Sequence, residues 1–385
     1  MTKLSFSKDR LLEARDIRER WYNGEKTERL PFVFSVSDAG NKNLLGANPY
    51  NYIEMCASSK TAVEGVILSL QHQLSTFPDC DYLPILDVYY LGQGILAAIY
   101  GAEQYIVEKD PPFTKGRIFN NIYETVNLSN DFDIENTVWG RKLKEHVERF
   151  VDATDGQIPV GPPDYQSPYG TATKLLHNEE LMMAMYDEPE LTHQFLERIT
   201  DGIIKLSDAM QKWAGADNYV HNRSNPIPGK CGCILWDDYI SVITPSLHIE
   251  FCAPCNRRLY DTYGYGHLHT CGPYFPGYMD ACLACSPRSM DISIMRGMSK
   301  SKEDVMDFLD ITNKNGIRLF GNLGVTDSSI FENKWTQPDR EFLETCIKCG
   351  WMPSGSGTYE EGLALKKQTE DIYRSHIEPP AKKIL

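Results

Sequence analysis

The sequence predicts an α/β protein, a (β/α)8 TIM barrel with an N-terminal helical extension and an insertion between the second and third strands. Three observations predict it. Short apolar or β-branched runs alternate with amphipathic segments of roughly 10 to 25 residues, the pattern of repeated βα units. Eight such runs can be counted, and eight close a parallel barrel, whereas an open doubly wound sheet usually has fewer strands. Neither GxGxxG nor GxxxxGK[ST] occurs, which removes the main support for a nucleotide-binding sheet.

The chain opens on a charged segment, RLLEARDIRERW from Arg10, that reads as a leading helix within the first 30 residues. The eight runs follow in order: Pro31–Ser37, Asp81–Val88, Gln157–Pro163, Asn218–Asn222, Gly266–Cys271, Met290–Ile294, Ile317–Asn322 and Gly350–Ser356. Residues 103–150 make the polar insertion. Helical character between the runs is clearest in Glu190–Trp213, where Leu191, Phe195, Ile199, Ile203 and Leu206 recur at helical spacing, and in Lys302–Asn313. Asp187, Glu188 and Pro189 suit the first turn of the former and Gly215 its stop. No internal repeat, low-complexity tract or Gly/Ser linker marks a boundary, so residues 1–385 are expected to form one domain.

With 42% apolar and 24% charged residues, the composition is that of an ordinary enzyme rather than a disordered chain. A net charge of −14 disfavours nucleic acid, which needs basic patches for counterion release. The N-terminal segment lacks an apolar signal region, and no apolar stretch reaches about 18 residues. Neither secretion nor membrane spanning is expected, and a cytoplasmic location is. Eleven cysteines cannot all pair within one chain, which turns attention to thiol or metal chemistry.

Barrel chemistry comes from the C-terminal ends of the strands. Those ends supply Asp38, Asp87, Tyr165, Gln166, His221, Asn222, Arg223, His269, Cys271, Asn322 and Ser356. Within Gly266–Cys271 side chains alternate, so His267, His269 and Cys271 share a face. Imidazole and thiolate two residues apart on a strand suit Zn²⁺, whose borderline-soft character accepts both. The alternative is a satisfied core histidine beside a small buried cysteine.

Of three C-x-x-C pairs, Cys252/Cys255 and Cys346/Cys349 fall in expected helices, where packing is the favoured role. Cys282/Cys285 is the third pair. Cys231–Gly–Cys233, read as part of the loop after strand four, could line the site mouth. Tyr263, Tyr265, Tyr274, Phe275 and Tyr278 crowd the HLHTCG segment, either to stack on a flat substrate or as ordinary packing.

Several of these segments together resemble the uroporphyrinogen decarboxylase superfamily, in the right order from about residue 10 onward. DYQSPYGTATKLLH from Asp164 and LMMAMYDEPEL from Leu181 resemble its "Q-G-P-hydrophobic…D-P-E" stretch. Trp236–Asp–Asp–Tyr with Ile243–Thr–Pro–Ser–Leu247 resembles its "D-D…S-P" stretch. His269–Thr–Cys271–Gly272 matches the H-x-C-G motif of its corrinoid-dependent methyltransferase branch, and Gly321–Asn–Leu–Gly324 resembles its "G-N-V" strand. The decarboxylases carry an R-Q-A-G-R segment after strand one that binds the substrate's carboxylates. Here the chain reads SVSDAGN from Ser35, and a multiply anionic tetrapyrrole would meet Asp38 instead of cations.

The methyltransferase branch implies zinc held by the H-x-C pair and by a cysteine at the end of strand eight. This sequence has Ser356 in place of that cysteine. The strand count puts His221 at the rim of His269 and Cys271, and these three make the expected zinc set, with an open fourth position.

The resemblance implies a methyltransferase acting between a small substrate, such as a methoxylated aromatic, and the cobalamin of a separate corrinoid protein. His267, His269, Asp38 and Asp87 are then the expected proton-transfer groups, with Tyr165, Gln166, Asn222, Arg223, Tyr274, Asn322 and Ser356 binding substrate. A tetrapyrrole decarboxylase and a non-catalytic corrinoid-protein-binding member are the other readings, and each leaves room for a homodimer.

Overall fold

A computed structural model describes residues 4–36, 48–221, 232–270, 275–291, 302–321 and 340–377. Helix α1, Lys8–Tyr22, starts where the Ser7 side chain accepts from the Arg10 backbone, and it buries Ala14, Ile17, Arg18, Trp21 and Tyr22. Strand β1, Val33–Val36, follows, then α2 (Tyr52–Ala57), closed by a capping box between Asn51 and Glu54, and α3 (Ser59–Thr76). Fully buried α4 (Ile95–Ile99) leads into the expected insertion. There a short antiparallel hairpin, β2 (Gln104–Tyr105) with β3 (Phe113–Thr114), and 3-10 turns precede α5 (Val138–Ala153).

Next come α6 (Pro168–Ala172), α7 (Asn178–Asp187) and α8 (Pro189–Ala214). Phe195, Ile199, Ile203, Leu206 and Met210 line the buried face of α8, which ends at Gly215 with φ 83°, so the expected helix and its stop are both observed.

The second half alternates strand and helix. It comprises β4 (Cys233–Trp236), α9 (Pro245–Leu247), α10 (Ala253–Tyr263), β5 (Gly266–His269), α11 (Tyr278–Ala284), β6 (Ser289–Asp291), α12 (Lys302–Lys314), β7 (Arg318–Phe320), α13 (Arg340–Lys348), β8 (Ser354–Gly357) and α14 (Tyr359–Ile377). A five-residue π-helical turn, His248–Cys252, joins α9 to α10.

Among the described residues, all pairing outside the β2–β3 hairpin is parallel. Strands β4 to β7 form one sheet in chain order, and β1 pairs with β8. Parallel bridges extend the pattern from Leu86 to Val160, from Val160 to Tyr219, and from Leu319 in β7 to Trp351, just before β8. The Asp81 amide also donates to the Phe32 carbonyl at 2.7 Å, beside the start of β1. Five of the eight expected runs thus hold a strand, and the second, third and fourth hold single bridges.

The fourth run follows a 3-10 turn at residues 216–218 and, like the second and third, holds one parallel bridge, at Tyr219, while a strand not expected from the sequence, β4, forms downstream. Cys233, expected in a loop, is the buried first residue of that strand. Pro226, Pro228 and Gly229 intervene in the sequence, and prolines cannot donate to a ladder. CILW, apolar throughout, is the composition of a parallel strand covered on both faces.

Helix α1 covers the N-terminal ends of the strands. Arg10 and Arg29 reach the fully buried Asp81 carboxylate at 2.9 and 2.6 Å, the Phe32 amide donates to the same group, and buried Arg18 donates to the Asp81 carbonyl. Arg318 lies over the Trp21 ring and Arg288 over Tyr22 and Tyr265.

Candidate active site on strands β5 and β6

Leu268, Met290 and Leu319, at the centres of β5, β6 and β7, are fully buried in one cluster with Tyr278 and Met279 of α11 and Phe308 of α12. By strand alternation His267 and His269 face the other way, together with Ser289 and Asp291. The parallel register sets His267 beside Ser289 and Leu268 beside Met290. Each histidine therefore meets a polar residue one strand over. His267 Nδ1 lies 2.8 Å from Ser289 Oγ, and His269 Nδ1 lies 2.8 Å from a carboxylate oxygen of Asp291.

The two sites differ in setting. His267 is 1% exposed, its ring edge meets Phe320, and burial drives its pKa down to about 3. His269 is half-buried against Trp236, with a carboxylate behind it. The Asp291 carboxylate fixes the proton of the neutral ring on Nδ1, which makes Nε2 the lone-pair nitrogen.

Behind His269 stands a second polar assembly. The Asp237 backbone amide donates to the His269 carbonyl at 2.9 Å. The Asp237 side chain, fully buried, takes hydrogen bonds from His248 Nε2 at 2.9 Å, Asn256 Nδ2 at 2.6 Å and Ser167 Oγ at 3.0 Å. Burial alone would raise this carboxyl, but His248, Asn256 and Ser167 together hold it below the usual carboxylate range. The π turn carries His248 into this cluster, and α10 carries Asn256. Four chain segments are thereby tied to the end of β4, next to β5.

The other expected site residues fall in several places. His221 stacks on Tyr263 of α10 at 4.0 Å between ring centroids, meets Tyr219 edge-on at 5.0 Å, and its Nδ1 lies 3.0 Å from Ser207 of α8. Burial lowers its pKa to about 4. Tyr165 is buried, with its hydroxyl against Tyr219 and Met210. Gln166, at φ 54°, is folded back on Asp164, whose carboxylate accepts from both its backbone and side-chain nitrogens at 3.0 Å. Asp87 accepts from the Tyr89 amide at 2.7 Å in a tight turn after Leu86. Ser356 lies in β8 opposite Ser35. Asp38, Asn222, Arg223, Cys271, Tyr274 and Asn322 lie outside the described residues.

Of the two C-x-x-C pairs expected to pack, Cys252/Cys255 is buried and Cys346/Cys349 is buried at Cys346 and half-buried at Cys349. Cys252, Cys255, Cys282, Cys285 and Cys346 are buried, and burial pushes every one of these thiols up, Cys255 to about 11. Among the described residues no group of three or more histidine, cysteine, aspartate or glutamate side chains is arranged to hold a metal. Of the aromatic residues near HLHTCG, Tyr263 covers His221, Tyr265 packs on Tyr22, and Tyr278 is buried.

Sequence reasoning missed Ser289, Asp291 and the Asp237 cluster. Asp291 had a signal, an acidic residue inside the apolar run MDISI, where a carboxylate needs a partner. The partners of Asp237 lie up to 70 positions away along the chain, and no local pattern marks them.

No family model matches the chain and no curated protein does. Among solved structures, the fold is similar to that of a methyltransferase from Methanosarcina mazei, with a TM-score of 0.62 over 93% of this chain and 98% of that one, at 16% sequence identity. The likeness covers nearly the whole of both chains and is one of fold. No helix among the described residues is long and apolar enough to cross a membrane.

Proposed function

We propose that this chain is a (β/α)8 barrel of the uroporphyrinogen decarboxylase superfamily and a methyltransferase, moving a methyl group between a small substrate and the cobalamin of a separate corrinoid protein. The single observation that carries the reading is the His269–Asp291 pair at the C-terminal ends of adjacent strands, with His267 on the same face. The barrel is supported by the parallel pairing and bridges, and methyl transfer by the fold likeness together with the H-x-C-G motif.

The donor set fits zinc at His269, because a ligand histidine normally gives its other ring proton to a carboxylate, as His269 does to Asp291. Cys271 is the proposed second ligand. His221 is proposed as the third, its Nδ1 held by Ser207 much as that of His269 is held by Asp291. Zinc held there would supply Lewis acidity toward the oxygen or sulfur that bears the methyl group.

The protein's own groups do the rest. With the methyl group passed to a partner's cobalamin, the bond electrons would stay on the oxygen or sulfur that bore it, and a hydrogen bond from His267 would meet that charge. Asp38 and Asp87 are proposed to exchange the proton with solvent. Tyr165, Gln166, Asn222, Arg223, Tyr274, Asn322 and Ser356 are proposed to shape the substrate site.

The test is a methyl-transfer assay with a methylated corrinoid protein and a panel of methoxyaromatics and methylated thiols, with carbon dioxide release from uroporphyrinogen followed in parallel. Methyl transfer that is lost in His269→Ala, together with its zinc, is the expected result. Carbon dioxide release, or equal zinc in wild type and His269→Ala, would overturn the reading.

A further inference from the structure

His267 and His269 differ by two positions on one strand face, yet the groups that hold them have opposite hydrogen-bonding character. Asp291 is a carboxylate and can only accept, so the His269 nitrogen facing it carries the proton. Ser289 is a hydroxyl and can do either, and its choice is set one step further away. The Tyr22 hydroxyl, brought in from α1, donates to Ser289 Oγ at 3.0 Å. That fills one acceptor position on Ser289 and leaves the serine proton to be directed. His267 Nδ1, at 2.8 Å, is the ring nitrogen on which it falls. A donated serine proton requires a bare Nδ1, and a neutral ring with bare Nδ1 carries its hydrogen on Nε2.

We infer that Tyr22 and Ser289 lock His267 as the Nε2–H tautomer while Asp291 locks His269 as the Nδ1–H tautomer, so that one strand face presents a hydrogen-bond donor and a lone pair side by side.

The chain Tyr22–Ser289–His267 is buried throughout, at 5%, 1% and 1% exposure, so water does not compete for its protons. Tyr22 is itself held in place, edge-on to Tyr265 and under Arg288. This gives the N-terminal helix a part in the site: it covers the far ends of the strands and also sets the polarity of a histidine inside. Tyr22, Ser289 and Asp291 are positioning residues under this assignment. His267 is the donor and His269 the ligand or base. The division of roles deepens the methyltransferase reading and rests on it for its catalytic consequence, but the tautomers themselves do not depend on any activity.

The experiment is nitrogen NMR of the full chain labelled with 15N-histidine, recorded with long-range proton correlation so that each ring nitrogen is seen as protonated or bare. Assignment comes from His267→Gln and His269→Gln. The expected wild-type spectrum has His267 with Nε2 protonated and Nδ1 bare, and His269 with the reverse. Tyr22→Phe removes one hydroxyl and should let His267 sample both tautomers while leaving His269 unchanged. Asp291→Asn should do the converse.

In the methyl-transfer assay, Asp291→Asn should lower kcat about 10- to 100-fold, the usual effect of removing a group behind a ligand histidine. Tyr22→Phe should lower kcat with KM unchanged. A wild-type His267 protonated on Nδ1, or a Tyr22→Phe spectrum identical to wild type at His267, would overturn the inference. Absence of methyl transfer with the predicted tautomers present would instead fail the proposed function alone.

Discussion

Replacing Asp237 with alanine is expected to be among the most destabilising single changes in the molecule. The carboxylate is fully buried and accepts from His248, Asn256 and Ser167. A hydrogen bond to a charged group is worth about 1.5–3 kcal/mol, so three treated as independent would total roughly 5–9 kcal/mol. They share one acceptor and are not independent, and breaking buried ion pairs costs about 3–5 kcal/mol. An expected loss of about 4 kcal/mol follows, since alanine leaves three donors buried and unanswered. The backbone bond from residue 237 to the His269 carbonyl survives in alanine, so the loss belongs to the side chain. Asp237→Asn keeps the volume and one acceptor oxygen but turns an amide N–H₂ toward the donors, and about half the loss is expected. The assay is urea unfolding followed by circular dichroism, with the slope compared between variants. An Asp237→Ala protein within about 1 kcal/mol of wild type at unchanged slope would refute the reasoning, because no buried carboxylate serving three donors can be removed so cheaply.

Two further outcomes rest on buried groups away from the proposed site. His146 lies 2.5 Å from the Tyr90 hydroxyl, and burial lowers its pKa from 6.5 to about 4, so between those values the unfolded chain binds a proton that the native state refuses. Its contribution is whole above about pH 6.5 and fades as the pH falls to about 4, by roughly 3 kcal/mol in all; His146→Phe should flatten that part of a stability-against-pH curve, and an unchanged curve would count against it. At Gly202 in α8, a Cβ would stand 1.9 Å from the Tyr100 hydroxyl oxygen, so Gly202→Ala should cost about 1–3 kcal/mol by overpacking. Adding Tyr100→Phe removes the clashing atom and should restore part of the loss, and a purely additive double mutant would exclude this contact as the cause.

What could be read from the sequence divides along a physical line. Periodic features were legible: the stripe of α8 from Phe195 to Leu206 and the fifth, sixth and seventh strands are set by alternation and helical spacing within a short window. Cys252 and Cys346 pack as helical spacing predicted. Strand β4 was missed because CILW carries no alternation to announce it, while NYVHN, read as a strand, holds one parallel bridge. His267 and His269 were found because their spacing puts them on one face. Asp291 and Ser289 were not, since their importance comes from strand pairing across 22 positions. His221 shows the same limit. The sequence placed it near a strand end, and Ser207 on α8 and Tyr263 on α10, distant along the chain, join Tyr219 in holding its ring.

The two histidine contacts are in fact one feature of register. Strand side chains repeat every two residues, so once His267 is set beside Ser289, His269 is carried to Asp291 by the same parallel pairing. No separate adjustment is needed for the second contact. A slip of one residue between β5 and β6 would turn Met290 toward the histidines and the polar pair toward the apolar layer held by Leu268 and Leu319. Buried apolar residues on one face therefore enforce the polar contacts on the other. The same reasoning explains why Leu268 and Met290, which touch no reacting group in the proposed mechanism, matter to it. They fix the register, the register fixes both pairs, and the pairs give each ring the nitrogen it presents.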